Sequence, residues 1–478
     1  MKTTKAVLVP AALILPFCLV TVLFALWGFA NDISNPMVKA FKEIMLLSNF
    51  RSSLVQFAFY LGYMLMAFPA AFFIKRYTYK SGVLLGLMFY AAGCLLFIPS
   101  GLLMSFTAFL VAYFIMASGL SFLETCANPF ILSMGPTETA TRRLNFAQSF
   151  NPMGSLAGMF VARNLILAKL DTTPEDARRV LQATDVAKYN EIAQHDVSVI
   201  VGPYAILGIV VLAFLVLFFL AKLPRNEHDT NDKSLDIGPS FKRLFTNARY
   251  VEGVVAQFFY VSVQIMCWTF IIQYANKTLN MSNTDAQFYN IIAMVMFVSF
   301  RFICTFLLKF FNSGALLMTL AIVGGLLILY TIFGGGNLDA GAQFTAMMNE
   351  VDGSGFLAKL CVYFKAPFVI PGMFGLVALV MTSACMSLMF PTIYGIALRN
   401  VGGDAKIGAA GLVMAIGGAC IFTPIQGWIM DWQPVNLGFM VMDSMRFSFV
   451  VPLICFVVVT TYGLRTFLRD KRLEHFSK

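Results

Sequence analysis

The hydrophobic residues of this chain fall into long, nearly uninterrupted runs separated by short polar segments. A helix needs about 20 apolar residues to cross the hydrocarbon core of a bilayer. Twelve runs in the 478 residues reach or approach that length. The predicted membrane-spanning helices are residues 8–35, 51–73, 81–99, 103–133, 144–168, 198–221, 250–275, 286–308, 314–334, 366–397, 406–430 and 446–468.

The composition leads to the same fold class. Hydrophobic residues make up 59% of the chain and charged residues 12%, whereas a soluble domain carries about 25% charged residues. This balance excludes a water-soluble multidomain enzyme and a disordered chain. We expect an all-α polytopic membrane protein, with little polypeptide left for a catalytic domain outside the membrane.

One polar, charged segment divides the twelve spans into six and six. We predict an N-terminal six-helix bundle over 1–221, a cytoplasmic linker over 222–249 and a C-terminal six-helix bundle over 250–478. A weak internal repeat supports this division, because a Pro interrupts both span four (Asn128-Pro129-Phe130) and span ten (Phe390-Pro391-Thr392). Parallel six-helix repeats with the substrate bound between them are typical of the major facilitator fold.

The net charge of +10 does not indicate nucleic-acid binding, because the Lys and Arg residues lie almost entirely in the connections. With the N-terminus inside, 21 of them fall on the inner side and 11 on the outer side. This bias predicts that both termini are cytoplasmic. The longer outer segments, 169–197 and 335–365, are expected to be structured caps or spacers.

Charged residues within the spans are costly and are therefore candidate functional groups. Glu124 lies deep in span four, where ionisation is unfavourable, so it is a candidate to carry a coupling proton. The alternative is a Glu that is permanently protonated or paired with Arg and only joins helices. Asp32 is a second candidate, unless it is already solvated at the outer interface. Arg163 and Arg301 are weaker candidates for substrate contact, and Asp431 is interpreted as a helix-end or loop charge.

The remaining polar residues in the spans are mainly amides and Trp, which suit a neutral polyol better than an anion or a lipophilic drug. They are Trp27, Asn31 and Asn35 in span one, Asn145, Gln148 and Asn151 in span five, and Gln257, Tyr260, Gln264 and Trp268 in span seven. Hydrogen bonding between helices is the alternative role for any one of these amides. No CxxC pair occurs, so neither a disulfide framework nor a metal site is expected, and no cofactor is expected. The three His lie in loops or tails, so any proton coupling must use carboxylates.

Seven segments of the chain resemble the fucose–galactose–glucose:proton symporter family of the major facilitator superfamily, especially its L-fucose branch. They are WGFANDISNP (27–36), LVQFAFYLGY (54–63), YKSGVLLGLMFYAAGCLLF (79–97), LETCANPF (123–130), RLNFAQSFNPMG (143–154), AQFFYVSVQIMCWTFIIQYA (256–275) and FPTIYGIALRNVGGDAKIGAAGLVM (390–414). The resemblance implies a multi-pass symporter of the bacterial inner membrane that works by alternating access. Its expected partners are a small neutral sugar, a coupling ion and membrane lipid. We expect no nucleic acid, and a monomer.

The resemblance also implies roles for individual residues. Glu124 falls on the coupling glutamate of the family, Gln148 and Asn151 on the amides of its sugar cavity, and Trp27 on its stacking Trp. Two positions depart from the L-fucose branch. Asn35 replaces a membrane Asp, while a carboxylate stands three residues earlier at Asp32, and Phe390 replaces a Tyr.

The sequence therefore predicts a cation-coupled importer of L-fucose or a related hexose, with protons as the coupling ion. A sodium-coupled glucose/galactose-type importer is the first alternative. A major facilitator exporter of small metabolites or drugs is the second, although the clustered amides argue against a cavity for lipophilic cations. A sugar sensor and a membrane enzyme are further alternatives, and the chain offers neither a signalling extension nor a catalytic motif.

The orientation can be tested by labelling single cysteines with a membrane-impermeant reagent in intact cells. Because the Lys and Arg bias places 222–249 inside, cysteines introduced there should stay unlabelled, whereas cysteines in 169–197 and 335–365 should react. External labelling within 222–249 would overturn the orientation.

Overall fold

The computed structural model describes residues 9–135, 143, 146–221, 237–308, 310–351, 355–399, 401, 404–438 and 440–476. These residues are almost entirely helical. The α-helices of the first half are α1 (Ile14–Ser34), α2 (Met37–Ile44), α3 (Asn49–Arg76), α4 (Tyr79–Leu95), α5 (Phe97–Leu102), α6 (Phe106–Ser133), α7 (Phe150–Val161), α8 (Glu175–Thr184), α9 (Val186–Leu220) and α10 (Ile237–Thr246).

The second half continues with helices and one short antiparallel hairpin. The helices are α11 (Ala248–Leu279), α12 (Asn283–Leu307), α13 (Ser313–Phe333), α14 (Ala340–Glu350), α15 (Phe356–Val369), α16 (Phe374–Met386), α17 (Met389–Leu398), α18 (Ala405–Met414), α19 (Gly418–Met430), α20 (Ser444–Phe447) and α21 (Val450–Phe476). The strands β1 (Val435–Asn436) and β2 (Val441–Met442) pair between α19 and α20.

Among the described residues, eleven helical stretches are long and apolar enough to cross a membrane. They coincide with eleven of the twelve predicted spans, so the polytopic all-α fold is confirmed. The predicted fifth span, 144–168, contains α7 followed by a π-helical turn (Ala162–Ile166) and a 3-10 turn (Leu167–Lys169). Asn145, a predicted site residue in this span, lies outside the described residues.

The predicted tenth span, 366–397, is wrong at its N-terminal end. The chain breaks between α15 and α16, and the helix that can cross a membrane begins at Phe374. Pro371 has no amide proton to continue a helix, and Gly372 adopts a φ of +86°, which favours glycine. The segments 169–197 and 335–365, which the sequence analysis predicts to lie outside, contain helices in their described residues, as expected of structured caps.

By its internal contacts the chain forms two compact units. Unit 1 comprises Met1–Ser34, Phe57–Val251 and Leu398–Gly417. Its helices α4 and α6 pack with their backbones in contact. This is shown at Gly119, where an added Cβ would overlap the carbonyl oxygen of Gly86. Small residues permit such close approach between membrane helices. At one end of this unit, the Arg243 guanidinium on α10 donates two hydrogen bonds of 2.7 Å to the Asp404 carboxylate.

Unit 2 comprises Asn35–Gln56, Glu252–Ala397 and Gly418–Lys478. Its helices α13 and α21 also approach closely at glycines. A Cβ on Gly463 would lie 2.8 Å from the Met318 amide nitrogen, and one on Gly314 would lie 2.8 Å from the Phe467 amide nitrogen. Both units expose many large apolar side chains, as expected for surfaces that face lipid.

A buried ion pair fixes the cap formed by α8 and the start of α9. Arg178 donates to Asp196 at 2.7 Å, and both side chains are almost fully buried. Arg178 also donates to the carbonyl oxygen of Thr173, at 2.9 Å, and the Asp171 amide donates to Asp196 at 2.8 Å. Hydrogen bonds from Thr173 lower the pKa of Asp171. The cap is therefore held by a charged network rather than by apolar packing alone.

The neighbouring arginines of α8 provide a matched test of this network. Arg178→Ala leaves the Asp196 carboxylate buried without its partner, a change that costs about 3–5 kcal/mol. Arg179→Ala removes only an exposed pair with Glu175, worth less than about 1 kcal/mol. Thermal unfolding of the purified variants should therefore show a large loss for the first substitution alone. Equal melting temperatures would show that the buried pair does not stabilise the cap.

Candidate functional site

Within unit 1, helices α1 and α7 cross at backbone contact. A Cβ would overlap the backbone of the facing helix at three glycines, namely Gly28, Gly154 and Gly158. The Ser155 hydroxyl adds a hydrogen bond of 3.4 Å to the Gly28 carbonyl. This crossing brings the predicted site residues Trp27 and Asn31 of α1 into the same unit as Asn151 of α7.

A chain of amides joins α6 to the start of α7. Gln148 Nε2 donates to Asn128 Oδ1 at 3.0 Å, and Asn128 Nδ2 donates to the backbone carbonyl of Glu124 at 3.1 Å. Asn151 Nδ2 donates to the carbonyl of Phe24 at 3.3 Å. The Gln148 side chain is otherwise exposed, so it retains hydrogen-bonding capacity for a ligand.

Glu124 lies eighteen residues after the start of α6 and nine before its end. The residue is half-buried. Within the described part of the chain its carboxylate makes neither a hydrogen bond nor an ion pair. A partly accessible carboxylate without a fixed counter-charge is able to take up and release a proton as its surroundings change.

The surroundings of Glu124 contain further polar atoms without partners. Tyr63 lies within electrostatic range of Glu124. The Tyr63 hydroxyl and Asn31 Oδ1 are both buried outside the hydrogen-bond geometry of any described partner, although the Tyr63 and Asn31 side chains lie within interaction range of each other. Trp27 is 9% exposed and stacks on Phe24 with ring centroids 5.3 Å apart. Unit 1 thus combines an acid, unpaired donors and acceptors, and an aromatic face.

Asp32 is buried in unit 1, with only 4% of the residue exposed. It lies within electrostatic range of Tyr60. The alternative that Asp32 is solvated at the outer interface is therefore not what the structure shows. Burial of a second carboxylate keeps Asp32 among the candidates for ion coupling.

In unit 2 the predicted residues are placed around α11, α16 and α17. Gln257 is fully buried, and neither its amide nitrogen nor its oxygen has a partner in the described residues. Gln264 is half-buried. Trp268 Nε1 donates to the Ser383 hydroxyl at 3.1 Å, so this indole is anchored within the unit. Phe390 is half-buried, with its ring 6.3 Å from that of Tyr260.

Asn35 belongs to unit 2, whereas Trp27 and Asn31 of the same predicted span belong to unit 1. Its amide oxygen accepts hydrogen bonds from Gln56 at 3.1 Å and from Thr269 at 3.4 Å. The structure thus ties Asn35 to helices of unit 2. All three residues lie in one candidate membrane span, Ile14–Ile44, with Asn35 directly after the end of α1.

The two membrane arginines have protein partners. Arg163 lies in the π-helical turn and donates to Asn164 Oδ1 at 3.1 Å. The Arg301 guanidinium lies 5.0 Å from the centre of the Phe297 ring, and its Nε donates to the Ser387 carbonyl at 3.4 Å. Both therefore have structural contacts in addition to any role toward a substrate.

Sequence reasoning missed three residues that the structure places beside the predicted ones: Asn128, Tyr63 and Ser383. The spacing of Asn128, four residues after Glu124 on a predicted helix, was a usable signal. Tyr63 and Ser383 lie in apolar runs and carry no signal that separates them from ordinary core residues. Among the described residues no group of three or more His, Cys, Asp or Glu is arranged to hold a metal ion.

The fold and the placement of polar groups within it define a multi-pass membrane transporter. The family model described as Major Facilitator Superfamily matches residues 17–404. The chain is 46% identical to an L-fucose-proton symporter of Haemophilus influenzae, over 95% of this chain and 96% of that protein. It is 32% identical to an L-fucose-proton symporter of Escherichia coli K12, over 94% and 92% of the two chains.

The structural comparison agrees. The crystal structure of the major facilitator transporter FucP in the outward conformation superposes with a TM-score of 0.66 at 32% identity, over 94% of this chain and 98% of that chain. A D-xylose-proton symporter shares the fold, with a TM-score of 0.65 at 15% identity, over 94% and 96% of the two chains. The chain therefore belongs to the major facilitator superfamily and, within it, to the fucose–galactose–glucose:proton symporter family.

Proposed function

We propose that this protein imports L-fucose, or a related neutral hexose, in symport with protons. The observation that carries the proposal is the placement of Glu124. It lies deep in a membrane helix without a counter-charge in the described residues, and its backbone carbonyl accepts from Asn128, which in turn accepts from Gln148. The 46% and 32% identical relatives are both L-fucose-proton symporters, which supports the same assignment.

The proposed sugar site uses neutral groups. Asn31, Gln148 and Asn151 would donate to and accept from sugar hydroxyls, and Trp27 would stack on the apolar face of the ring. Asn35, Gln257, Gln264, Trp268 and Phe390, which belong to unit 2, stay predicted sugar contacts. Amides suit this task because they both donate and accept without adding a charge to the membrane interior.

Coupling would follow from the protonation of Glu124. Burying the neutral form of Glu124 requires little free energy, whereas burying its anion is strongly unfavourable unless water reaches it. Proton uptake from the outer side would therefore favour the sugar-loaded state that is closed to water, and proton release on the inner side would reset the carrier. Asp32 is the second proposed coupling residue, since it is also buried.

The glucose/galactose-type importer remains a second candidate, because two curated Brucella abortus glucose/galactose transporters are 26% identical to this chain over 93% of its length. Sodium coupling belongs to this alternative, with Asp32 as the expected ligand. An exporter of drugs is disfavoured by the amides of the site. A transporter needs no catalytic residues, and we propose no enzymatic activity.

We further propose that the protein acts as a monomer in the bacterial inner membrane, with both termini in the cytoplasm and lipid around the exposed apolar helices. The Lys and Arg bias supports this orientation. The site takes a sugar and a coupling ion, and we propose neither a cofactor nor a nucleic-acid partner.

The amides of the site can be tested by sugar binding to purified protein. Gln148→Ala and Asn151→Ala should each leave a buried sugar hydroxyl without its partner, which costs about 1–3 kcal/mol, or about 5- to 150-fold in affinity. Gln182→Ala, an exposed amide on α8, should bind as the wild type does. Unchanged affinity in both site variants would assign these amides a purely structural role.

The role of Glu124 can be tested by separating exchange from accumulation. Glu124→Gln mimics the protonated residue, so it should exchange labelled for unlabelled sugar but fail to concentrate sugar under an imposed proton gradient. Glu191→Gln, an exposed carboxylate of α9, should accumulate sugar normally. Proton-driven accumulation by Glu124→Gln would overturn the coupling role, and wild-type accumulation driven by sodium at fixed pH would favour the sodium-coupled alternative.

A further inference from the structure

The helix α15 (Phe356–Val369) lies outside the eleven helical stretches that are long and apolar enough to cross a membrane. Its sequence, FLAKLCVYFKAPFV, is nevertheless apolar apart from Lys359 and Lys365. A helix that is apolar on all sides is normally buried in protein or in a membrane. The surroundings of its two faces therefore show where this helix resides.

One face of α15 is fixed to unit 2. Tyr363 lies against Phe288 of α12, with ring centroids 4.2 Å apart, and against Phe344 of α14, at 5.1 Å. The Tyr363 hydroxyl donates to Asp285 Oδ1 at 2.7 Å, and the Tyr363 carbonyl oxygen accepts from the Tyr289 hydroxyl at 3.0 Å. Aromatic packing and hydrogen bonds thus hold this face against the first turns of α12.

The opposite face of α15 is exposed and apolar. Leu357, Phe364 and Phe368 are 74%, 56% and 79% exposed, and the exposed Cys361 lies between them. These four residues follow one another at intervals of three or four positions, so they form a single stripe along the helix. A stripe of this kind is unfavourable in water and marks a surface that contacts protein or lipid.

The neighbouring helix α14 has the opposite character on its exposed side. It exposes small or polar residues, including Gln343, Asn349 and Glu350. Its first turn sits on the connection between α11 and α12, because a Cβ on Gly341 would overlap the carbonyl oxygen of Asn280. α14 therefore covers the ends of two membrane helices and presents a polar surface, as expected for a helix in water.

The contacts of α15 set its depth. Asp285 and Phe288 lie two and five residues after the start of α12, where the membrane-crossing stretch Asn283–Cys304 begins. At a rise of about 1.5 Å per residue, Tyr363 meets α12 roughly 3–8 Å from that end. The headgroup layer of one leaflet is about 5–8 Å thick. α15 thus lies level with the boundary between headgroups and acyl chains.

The apolar stripe continues into a membrane-spanning helix. Four residues separate α15 from α16, whose membrane-crossing stretch begins at Phe374. The rings of Phe368 and Phe374 meet at a centroid distance of 6.0 Å, and Phe374 is itself 43% exposed. Lipid that surrounds the exposed side of α16 therefore reaches the stripe of α15 without a break.

The charges of α15 also suit a lipid surface. Both charged residues are Lys, and the helix contains no acidic residue. Lys365 is exposed at the edge of the stripe. A Lys side chain can keep its stem in an apolar layer while its ammonium group reaches the headgroups, where lipid phosphates attract it. An apolar stripe with a flanking cation thus matches a phospholipid leaflet.

We propose that α15 is a membrane-surface helix, with the stripe Leu357, Cys361, Phe364 and Phe368 in the acyl region of one leaflet and Lys365 bound to lipid phosphate. In the predicted orientation this is the outer leaflet. The segment 335–365 is then divided between two environments, with α14 in water and α15 in lipid. This placement depends on the membrane class of the protein and not on the identity of the sugar or the coupling ion.

The depth of α15 can be measured on its own cysteine. In full-length protein with Cys18→Ser, a spin label is attached to the exposed Cys361, since the other seven cysteines are buried. The protein is reconstituted into vesicles of phosphatidylcholine and phosphatidylglycerol. Collisions of the label with oxygen, which concentrates in lipid, and with a water-soluble nickel chelate are compared. The oxygen-to-nickel ratio should be several-fold higher than at Gln343→Cys on α14, labelled in a Cys18→Ser, Cys361→Ser background.

Three outcomes are distinguishable without any sugar. Labels at Leu357→Cys, Phe364→Cys and Phe368→Cys should share the lipid-like ratio of Cys361. A ratio at Cys361 equal to that at Gln343→Cys would place α15 in water and overturn the proposal. A label that neither reagent reaches would also overturn it, because a protein or a second copy of the chain would then cover the stripe. Failure to take up L-fucose would contradict the proposed function alone.

Charge in the stripe provides a second test. Phe364→Asp combined with Phe368→Asp places two carboxylates in the acyl region, which is unfavourable. The oxygen-to-nickel ratio at Cys361 should therefore fall toward the value at Gln343→Cys. Ala346→Asp, at an exposed position of α14, should leave the ratio at Cys361 unchanged. An equal ratio in both variants would contradict insertion of the stripe.

The phosphate contact is tested at Lys365. Lys365→Glu replaces attraction to lipid phosphate by repulsion, so the ratio at Cys361 should fall, and it should fall further in vesicles with phosphatidylglycerol than in phosphatidylcholine alone. Lys188→Glu, at an exposed position of α9, should change the ratio in neither lipid. A ratio that Lys365→Glu leaves unchanged in both lipids would overturn the phosphate contact.

Discussion

Close contact between helix backbones is the constraint on which this structure depends. In lipid, helices gain little from burying apolar side chains against one another, so small residues and polar contacts hold them together. At Gly28, Gly154 and Gly158 any side chain would overlap the backbone of the facing helix. The same crossing sets the positions of Trp27 and Asn151, so the packing of α1 on α7 and the geometry of the candidate site are a single feature.

Some buried polar groups of the structure have hydrogen-bond partners and others do not. The cap network around Arg178 and Asp196 uses most of its donors and acceptors internally. Buried atoms outside the hydrogen-bond geometry of any described partner include Arg178 Nη1 in this network and, in the membrane helices, both amide atoms of Gln257, Asn31 Oδ1 and the Tyr63 hydroxyl. Unpaired polar atoms are expensive in a membrane interior. The unpaired polar atoms near Glu124 and on α11 are therefore tolerated only if water or a ligand completes their hydrogen bonds.

Much of this arrangement could be predicted from the sequence. The depth of Glu124 in an apolar run and the spacing of Gln148 and Asn151 can be read directly from the order of residues in the sequence. The hydrogen bonds that Asp431 accepts from the Asn49 and Phe50 amides could not be predicted, because these residues lie more than 380 positions away in the sequence. The interpretation of Asp431 as a simple helix-end charge was therefore incomplete. The start of span ten was wrong because the apolar run continues through Pro371 and Gly372, where backbone geometry rather than hydropathy ends the helix. The assignment of Asn35 to a different unit from Asn31 depends on tertiary contacts with Gln56 and Thr269.

The exchange of segments between units also has a mechanical consequence. Any change in the relative placement of the units has to be absorbed where the chain passes from one to the other, and one passage falls between Gly417 and Gly418. Gly417 packs on Met64 in its unit and Gly418 on Phe258 in the other, and the preceding residues, Ala415–Gly417, form a 3-10 turn. Paired glycines and a 3-10 turn lower the torsional stiffness of a helix. The eleventh predicted span therefore consists of two helical segments that belong to different compact units, and the backbone that joins them is less rigid than an uninterrupted α-helix.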